Sequence, residues 1–498
     1  MAVKNNVYRL LPLTLAMLWG SAAANVWVFE PSISLDQRFD DNYYLELDNP
    51  NTLSATRAVG ELGLSRESQA ASIRGLVRID GLLTASNDDA DNDLDSNQIV
   101  AFEAKLRSAR TRYGMYVGFK QDTPSRDIAA DLSDPDSLAS DTGLDLTESS
   151  DVGRREITLT PKFEYDVTRR LVFNTKATVT LVDHDTPDAQ DTIYERYLSL
   201  LPRDDNGNII GEVLPYNEVT IADAGNVFSP SGELDDYQEA ELELGLRFKL
   251  STITTLTTKL TLSRFNADVL VDPFAIVPFE NLAPDSSEPG IRRRPRRESI
   301  STTSKFELGY ERFLTETLQL GVSGGVYTNT TDTTDTLRAE DRPGEEIPAE
   351  RLEPLESDND GWLASVSLTK DAGQTRYTGR FAVDVQPSSV GTQVETQELT
   401  GDVFHVLSPR INLSMRARAY EPDRLAAKES DRFARRFISI EPKVEWNYTR
   451  NWTVSAAYRY RRQKARIDPV SAESNAVLFS IKYTPPSEVR DAARANGL

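Results

Sequence analysis

The sequence predicts an all-β protein, a transmembrane antiparallel up-and-down β-barrel of about 18 strands, with about 16 as the other even count that the spacing allows. Three observations predict it. Apolar and polar residues alternate with a period of two in segment after segment. Long and short connections between those segments also alternate. The polar phase carries ionised side chains of both signs, which a hydrated lumen tolerates and a second apolar sheet does not.

The alternation is strict over 154–168, where Ile157, Leu159, Pro161, Phe163, Tyr165 and Val167 take one phase. Glu156, Thr158, Thr160, Lys162, Glu164 and Asp166 take the other. Residues 238–251 repeat it, with Ala240, Leu242, Leu244, Leu246, Phe248 and Leu250 against Glu241, Glu243, Gly245, Arg247 and Lys249. Residues 73–83 and 376–385 follow the same rule. A period of two puts the two sets on opposite faces of a strand.

Long, acidic, turn-rich connections fall near 84–96, 123–153, 184–237, 269–296, 328–360, 386–396, 421–434 and 465–474. Short ones fall near 66–71, 108–111, 168–170, 251–254, 312–317, 370–375, 408–410 and 449–451. Strands near 31–40 and 55–65 complete the set and leave both ends of the barrel on the short-turn side. Outer-membrane barrels have this layout of short periplasmic turns and long external loops. Aromatic residues cluster at the short-turn ends: Phe163 and Tyr165, Tyr310 and Phe313, and Trp446, Tyr448 and Trp452. Amphipathic rings suit the headgroup level of a membrane. The stretches Leu159–Tyr165 and Ile440–Trp446 resemble each other, and the shared Pro161 and Pro442 predict a bulge at each.

The compartment is read from residues 1–24, expected to be a signal peptide. Lys4 and Arg9 precede the apolar run Leu10–Trp19, and Gly20 to Ala24 supply small residues for cleavage. That reading leaves 25–484 as the barrel and 485–498 as a polar tail, with the bacterial outer membrane as the expected location. The chain of 498 residues contains no cysteine, which excludes disulfides, thiolate metal sites and cysteine nucleophiles. Its net charge of −22 argues against nucleic acid as a partner.

The segments Pro31-Ser32-Ile33-Ser34-Leu35 and Phe39-Asp40-Asp41-Asn42 resemble the opening of the outer-membrane β-barrel porins encoded with exopolysaccharide or capsule gene clusters. So do Glu445 to Trp452 and the following Tyr458-Arg459-Tyr460. The resemblance implies a barrel, and with it traffic in polysaccharide. It brings no catalytic residues. The final strand, with Val477, Phe479, Ile481 and Tyr483 in one phase, departs from barrels that end on an aromatic, because Thr484 to Leu498 follow it.

Candidate sites follow from the ionised phase. Arg74, Arg78, Lys105, Arg107, Arg112, Lys120, Lys176, Arg247, Arg376, Arg380, Arg416, Arg418, Arg459 and Arg461 are expected inside the lumen. Glu61, Asp80, Glu103, Glu156, Glu164, Glu241, Glu243, Asp384, Asp402, Glu441 and Glu445 are expected among them. Opposed charges either impose a field across an open pore or zip into ion pairs that fill it. The segment 184–237, with Ile193, Tyr194, Tyr197, Leu198, Leu200 and Leu201, is the plug candidate. Arg292, Arg293, Arg294, Arg296 and Arg297 form the basic cluster, read either as an anionic-glycan or lipopolysaccharide contact or as balance for the acidic loops.

Weaker motifs are read as structural. Gly321-Val322-Ser323-Gly324-Gly325 matches a nucleophile elbow but sits inside an alternating strand. His184, between Asp183 and Asp185, and His405 are read as a loop-rim and a wall residue. Asp88, Asp89, Asp91, Asp93 and Asp95 lack the EF-hand pattern, since Leu94 takes the glycine position and Val100 the glutamate position. The expectation is a non-enzymatic barrel without metal or cofactor. Its expected partners are outer-membrane lipid, lipopolysaccharide, a polar solute or polysaccharide, and a periplasmic export partner. A structural or adhesive barrel with a plugged lumen is the competing reading.

Overall fold

The structure, a computed structural model, describes residues 27–42, 52–86, 94–122, 153–185, 236–270, 293–339, 350–351, 355–387, 393–424, 435–465 and 471–486. Among them lie nineteen strands in one sheet. In chain order they are β1 (Val28–Asp40), β2 (Leu53–Glu67), β3 (Ala71–Ser86), β4 (Leu94–Arg107), β5 (Thr111–Asp122), β6 (Gly153–Asp166), β7 (Leu171–Asp185), β8 (Asp236–Lys249) and β9 (Thr254–Leu270). There follow β10 (Arg293–Phe313), β11 (Leu318–Ala339), β12 (Glu350–Arg351), β13 (Leu355–Ala372), β14 (Thr375–Pro387) and β15 (Gln393–Ser408). The last four are β16 (Ile411–Arg424), β17 (Arg435–Asn447), β18 (Trp452–Ala465) and β19 (Ser471–Tyr483). β12 is only two residues long and extends the ladder of β11, so eighteen strands form the wall.

Every wall strand pairs antiparallel with its neighbours in sequence, and β1 closes on β19 from Ile33↔Tyr483 to Asp40↔Ala476. Closure removes the unpaired edges that hydrocarbon would not tolerate. The apolar phase points outward. Ile33, Leu35, Ile79, Leu246, Leu260, Phe306, Val326, Leu399, Val444 and Phe479 are all large, apolar and exposed. A continuous apolar exterior on a closed barrel is a lipid-facing surface, and an even, hairpin-built barrel of this kind is an outer-membrane protein. At the short-turn end it carries aromatic rings, with Tyr113 on Phe163 (5.1 Å between centroids), Trp446 on Tyr448 (5.1 Å) and Trp452 on Tyr483 (4.8 Å).

The short turns have a common local cause. In seven of the eight, a Ser or Thr at the turn entry accepts a backbone N–H two or three residues on. The pairs are Ser68–Ala71, Ser108–Thr111, Thr168–Leu171, Ser251–Ile253, Thr315–Thr317, Ser408–Ile411 and Thr449–Trp452. The hydroxyl replaces the ladder bond that the chain gives up in reversing. The eighth turn, between β13 and β14, instead uses Gly373 at φ 66°, where a side chain would be strained.

Two expectations are corrected. Neither Pro161 nor Pro442 makes a bulge. The register of β6 on β7 is the same at Leu159↔Val179 and Lys162↔Lys176, and that of β17 on β18 is the same at Ile440↔Tyr460 and Lys443↔Ala457. The pairing lapses at each proline toward that neighbour, while the other neighbour stays in register through Met115↔Pro161 and Met415↔Pro442. A missing N–H removes one bond without adding a residue, and only an added residue shifts a register. The register shift lies instead between Val406 and Ser408. The second correction is strand length. The ladders of β10 and β11 run on through Arg293–Arg297 and Thr328–Ala339, and β13 begins at Leu355, in stretches expected to be loop. Gly321–Gly325 lies inside β11, with no turn or helix around Ser323.

Candidate functional site: the charged lumen

The phase opposite the apolar one converges inside the barrel. Side chains from strands that are not neighbours meet only there. Arg461 of β18 reaches Asp40 of β1 across β19 (3.0 Å), and Lys305 of β10 reaches Asp384 of β14 across β11 and β13 (2.8 Å). Directly paired residues share a face, so the register carries this assignment round the wall. It places Arg74, Arg78, Lys105, Arg107, Arg112, Lys120, Lys176, Arg247, Arg376, Arg380, Arg416, Arg418, Arg459 and Arg461 on the inward face. Glu61, Asp80, Glu103, Glu156, Glu164, Glu241, Glu243, Asp384, Asp402, Glu441 and Glu445 lie on the same face. His405 lies on the opposite, outward phase from Asp402 and bonds through Nδ1 to the Thr375 hydroxyl (2.8 Å). The two therefore form no acid–base pair.

The inward charges fall into compact groups. Asp40 is fully buried, touches Arg38 and Arg461, and accepts the Ser474 hydroxyl (2.7 Å). Beside it Arg459, 1 % exposed, pairs with Glu441 (2.5 Å). Asp80 receives Arg57 (2.5 Å) and Arg78 (3.5 Å). Asp122 receives Lys120 (2.8 Å) and Arg154 (2.7 Å). Asp40 and Asp122 end their strands on the long-connection side, Asp80 and Glu441 lie mid-strand, and each is buried together with its partners. Toward the short turns the pairs are more open: Arg112 with Glu164 and Asp166, Arg416 with Asp402 (2.9 Å), and Arg376 with Asp371 (2.7 Å).

Between β1–β4 on one side and β14–β19 on the other is a cavity of about 800 Å³. Its lining includes Asp36, Arg57, Glu61, Arg376, Asp402, Arg416, Lys443 and Lys482. Among the described residues Lys482, and Arg380 nearby on β14, have no ion-pair partner. On the flank from β10 to β15 side chains bridge strands that are not neighbours. Lys305 also donates to the Val385 carbonyl (2.5 Å), and the Tyr327 hydroxyl of β11 donates to Glu395 of β15 (2.7 Å). Tyr327 lies over Gly361, where an added Cβ would stand 2.5 Å from the ring.

Several sequence-level candidates fall elsewhere. Arg292, residues 1–24 expected as a signal peptide, the acidic residues Asp88, Asp89, Asp91 and Asp93, the 123–152 stretch, the plug candidate 186–235 and the tail from 487 lie outside the described residues. Arg293, Arg294, Arg296 and Arg297 lie in the first turnless stretch of β10, not in a loop, and His184 lies in the last residues of β7. Sequence reasoning passed over Arg38, Asp40, Arg57, Asp122, Arg154 and Lys305. The first three alternate with apolar residues in β1 and β2 and were legible as inward. The partner of each was not, since Asp40 and Arg461 are 421 residues apart.

No model of a known protein family matches the chain, and no curated protein matches it. Solved structures do. The ferric-catecholate import receptor Fiu of Escherichia coli is 9 % identical over 91 % of this chain and 81 % of its own, with a TM-score of 0.44. OccAB2 of Acinetobacter baumannii is 10 % identical over 92 % of this chain and 98 % of its own, with a TM-score of 0.39. The outer-membrane protein OmpT of Vibrio cholerae, in a loop-deletion form, is 12 % identical over 93 % of this chain and 100 % of its own, with a TM-score of 0.33. The closed membrane barrel itself rests on the chain's own ladder, from β1 round to β19, and on its apolar exterior.

Proposed function

We propose that the protein is a porin-like barrel that passes polar solutes through its lumen, without covalent chemistry. The observation that carries this reading is the inward face: it is ionised in strand after strand and bounds a cavity of about 800 Å³ whose lining includes the unpaired Lys482. Solvated charges of both signs along a lumen favour polar over apolar solutes. An exported polysaccharide, the narrower form of this reading, is supported by the resemblance in Glu445 to Trp452 and by the arginine-rich start of β10. Reconstitution of the refolded barrel into planar bilayers tests the passage itself. Stepwise conductance is expected, and a silent barrel excludes it. Loss of secreted polysaccharide on deletion, with general permeability unchanged, would select export.

One observation favours the second reading, a plugged barrel whose outer loops bind glycan or lipopolysaccharide. The bridges Lys305–Asp384 and Tyr327–Glu395 join strands that are not neighbours and occupy the lumen on that flank. Replacing Arg292, Arg293, Arg294, Arg296 and Arg297 by Gln tests the surface role. Lipopolysaccharide retention should fall, and equal retention removes the arginines from the account.

A further inference from the structure

The ion pairs leave an acidic stretch of the inward wall uncompensated. On β8, Glu239, Glu241 and Glu243 follow at every second residue and share the inward face. None of the three has an ion-pair partner among the described residues. The cations that surround the row are mostly committed elsewhere. Lys305 is held by Asp384, and Lys259 by Glu307 (2.6 Å). Lys176, directly across from Glu243 on β7, is uncommitted, as is Arg247 four residues further along β8, while buried Glu156 on β6 adds a further carboxylate.

A second observation points the same way. Thr261 stands directly across from Glu243 on β9 and is 3 % exposed, yet its hydroxyl has no hydrogen-bond partner. Thr178, directly across from Glu241 on β7, likewise has a buried hydroxyl with no partner. A buried hydroxyl left unsatisfied costs about 1–3 kcal/mol, so two of them flanking one acidic row call for an occupant. Both can offer a lone pair to a cation. The carboxylates are spaced along the strand, not gathered round one point, and among the described residues no group of three or more acidic or histidine side chains is placed to hold a metal ion. The arrangement is a track, not a chelate.

The wall that faces this track is different. In the closed order β8 lies nine strands from β18 in either direction, so the two stand opposite. On β18 Arg459 is neutralised by Glu441, while Arg461 shares Asp40 with Arg38. A solute crossing this diameter therefore meets its negative excess at the β8 wall. We propose that Glu239, Glu241 and Glu243, with Thr178 and Thr261, form a cation track in the lumen wall that makes the passage selective for cationic solutes. This deepens the channel reading and rests on it for its use.

The chain has no cysteine, so a single introduced one reports the local potential without background. Thr178→Cys is labelled in detergent with a cationic and with an anionic methanethiosulfonate reagent of similar size. Thr180→Cys, across from Glu239, serves the same purpose if the first variant does not fold. With each rate divided by that reagent's rate toward a free small thiol, the cationic reagent should react about tenfold faster or more, in keeping with the concentrating effect of a charged cleft. In the background of Glu239→Gln, Glu241→Gln and Glu243→Gln the ratio should fall to near one. A ratio untouched by the three substitutions overturns the proposal, and so does failure of both reagents to react, since the track must be wet. In bilayers, the reversal potential under a potassium chloride gradient should be cation-preferring and move toward zero in the triple variant. An unmoved reversal potential overturns the track. Absence of any current overturns the channel reading alone, because the labelling ratio is read without conduction.

Discussion

Arg461 on β18 and Asp40 on β1 form an ion pair, 3.0 Å long, that spans the intervening β19 and so ties together the first and last strands of the barrel. Ser474 on β19 completes the tie by donating to the same carboxylate (2.7 Å). The backbone ladder at this seam covers only Ile33–Asp40 of β1, whereas β2 pairs with the strand from Val28 onward. The side-chain network lies at the Asp40 end of this seam, where β1 and β19 end their ladder on the long-connection side. Asp40→Ala leaves Arg38 and Arg461 without their shared counter-charge and should cost about 3–5 kcal/mol. The urea midpoint of the folded barrel, read from heat-modifiable gel mobility, measures it. An unchanged midpoint would show that the ladder alone holds the closure.

Arg459 and Glu441 should behave as one unit. Removing either partner strands a buried charge, but removing both does not. Arg459→Met and Glu441→Gln are each expected to destabilise by about 3–5 kcal/mol, and the double variant by clearly less than the sum. Simple additivity in the same urea assay would mean that the pair is not coupled.

The lipid-facing phase makes a third prediction. Leu260 on β9 sits mid-strand between Leu244 and Phe306 on the outer face. Leu260→Arg should cost about 2–4 kcal/mol in folding into lipid vesicles. Glu241→Arg, on the inward face of the next strand, should cost less than half as much. Equal penalties would reverse the inside and outside of the barrel.

Gly361 has no room for a side chain because the Tyr327 ring lies where its Cβ would be. Gly361→Ala should destabilise by about 1–3 kcal/mol, the usual range for overpacking. Tyr327→Ala placed in the same chain should recover most of that loss. A double variant as unstable as Gly361→Ala alone would assign the penalty to the backbone.

Much of this architecture was legible because lipid imposes a simple rule. Strands such as β6 and β8 must be apolar on one phase, and the other phase is then read as lumen without further information. The rule fails where its premise fails. Thr328 to Ala339 is a run of Thr, Asn and Asp with no apolar phase, so its ladder with β10 could not be told from a loop. Ser301, Thr303, Asn329 and Thr331 hold that stretch through hydroxyl and amide bonds between the two strands (2.8 Å for Ser301–Thr331 and for Thr303–Asn329). The prolines misled for a different reason. Pro161 and Pro442 do interrupt a ladder, but a bulge requires an extra residue, which a proline does not supply. The Ser and Thr turn entries carried a readable signal, a hydroxyl two or three residues before the returning strand, that the spacing of the loops alone did not use. The contacts at Asp40 and Asp384, which skip one and two strands, were out of reach, because each depends on which strands the closed ring brings within one side-chain length.

The long β10–β11 hairpin has a further consequence. Its strands contain 21 and 22 residues, against 12 in β5. At about 3.4 Å per residue and a tilt of about 40°, the taller flank rises roughly 55 Å, against an apolar band of about 25 Å. The short turns fix the lower rim, so the surplus of paired ladder stands outside the bilayer as a parapet on one flank of the mouth. Whatever approaches the cell from outside on that flank meets the ledge well above the membrane plane.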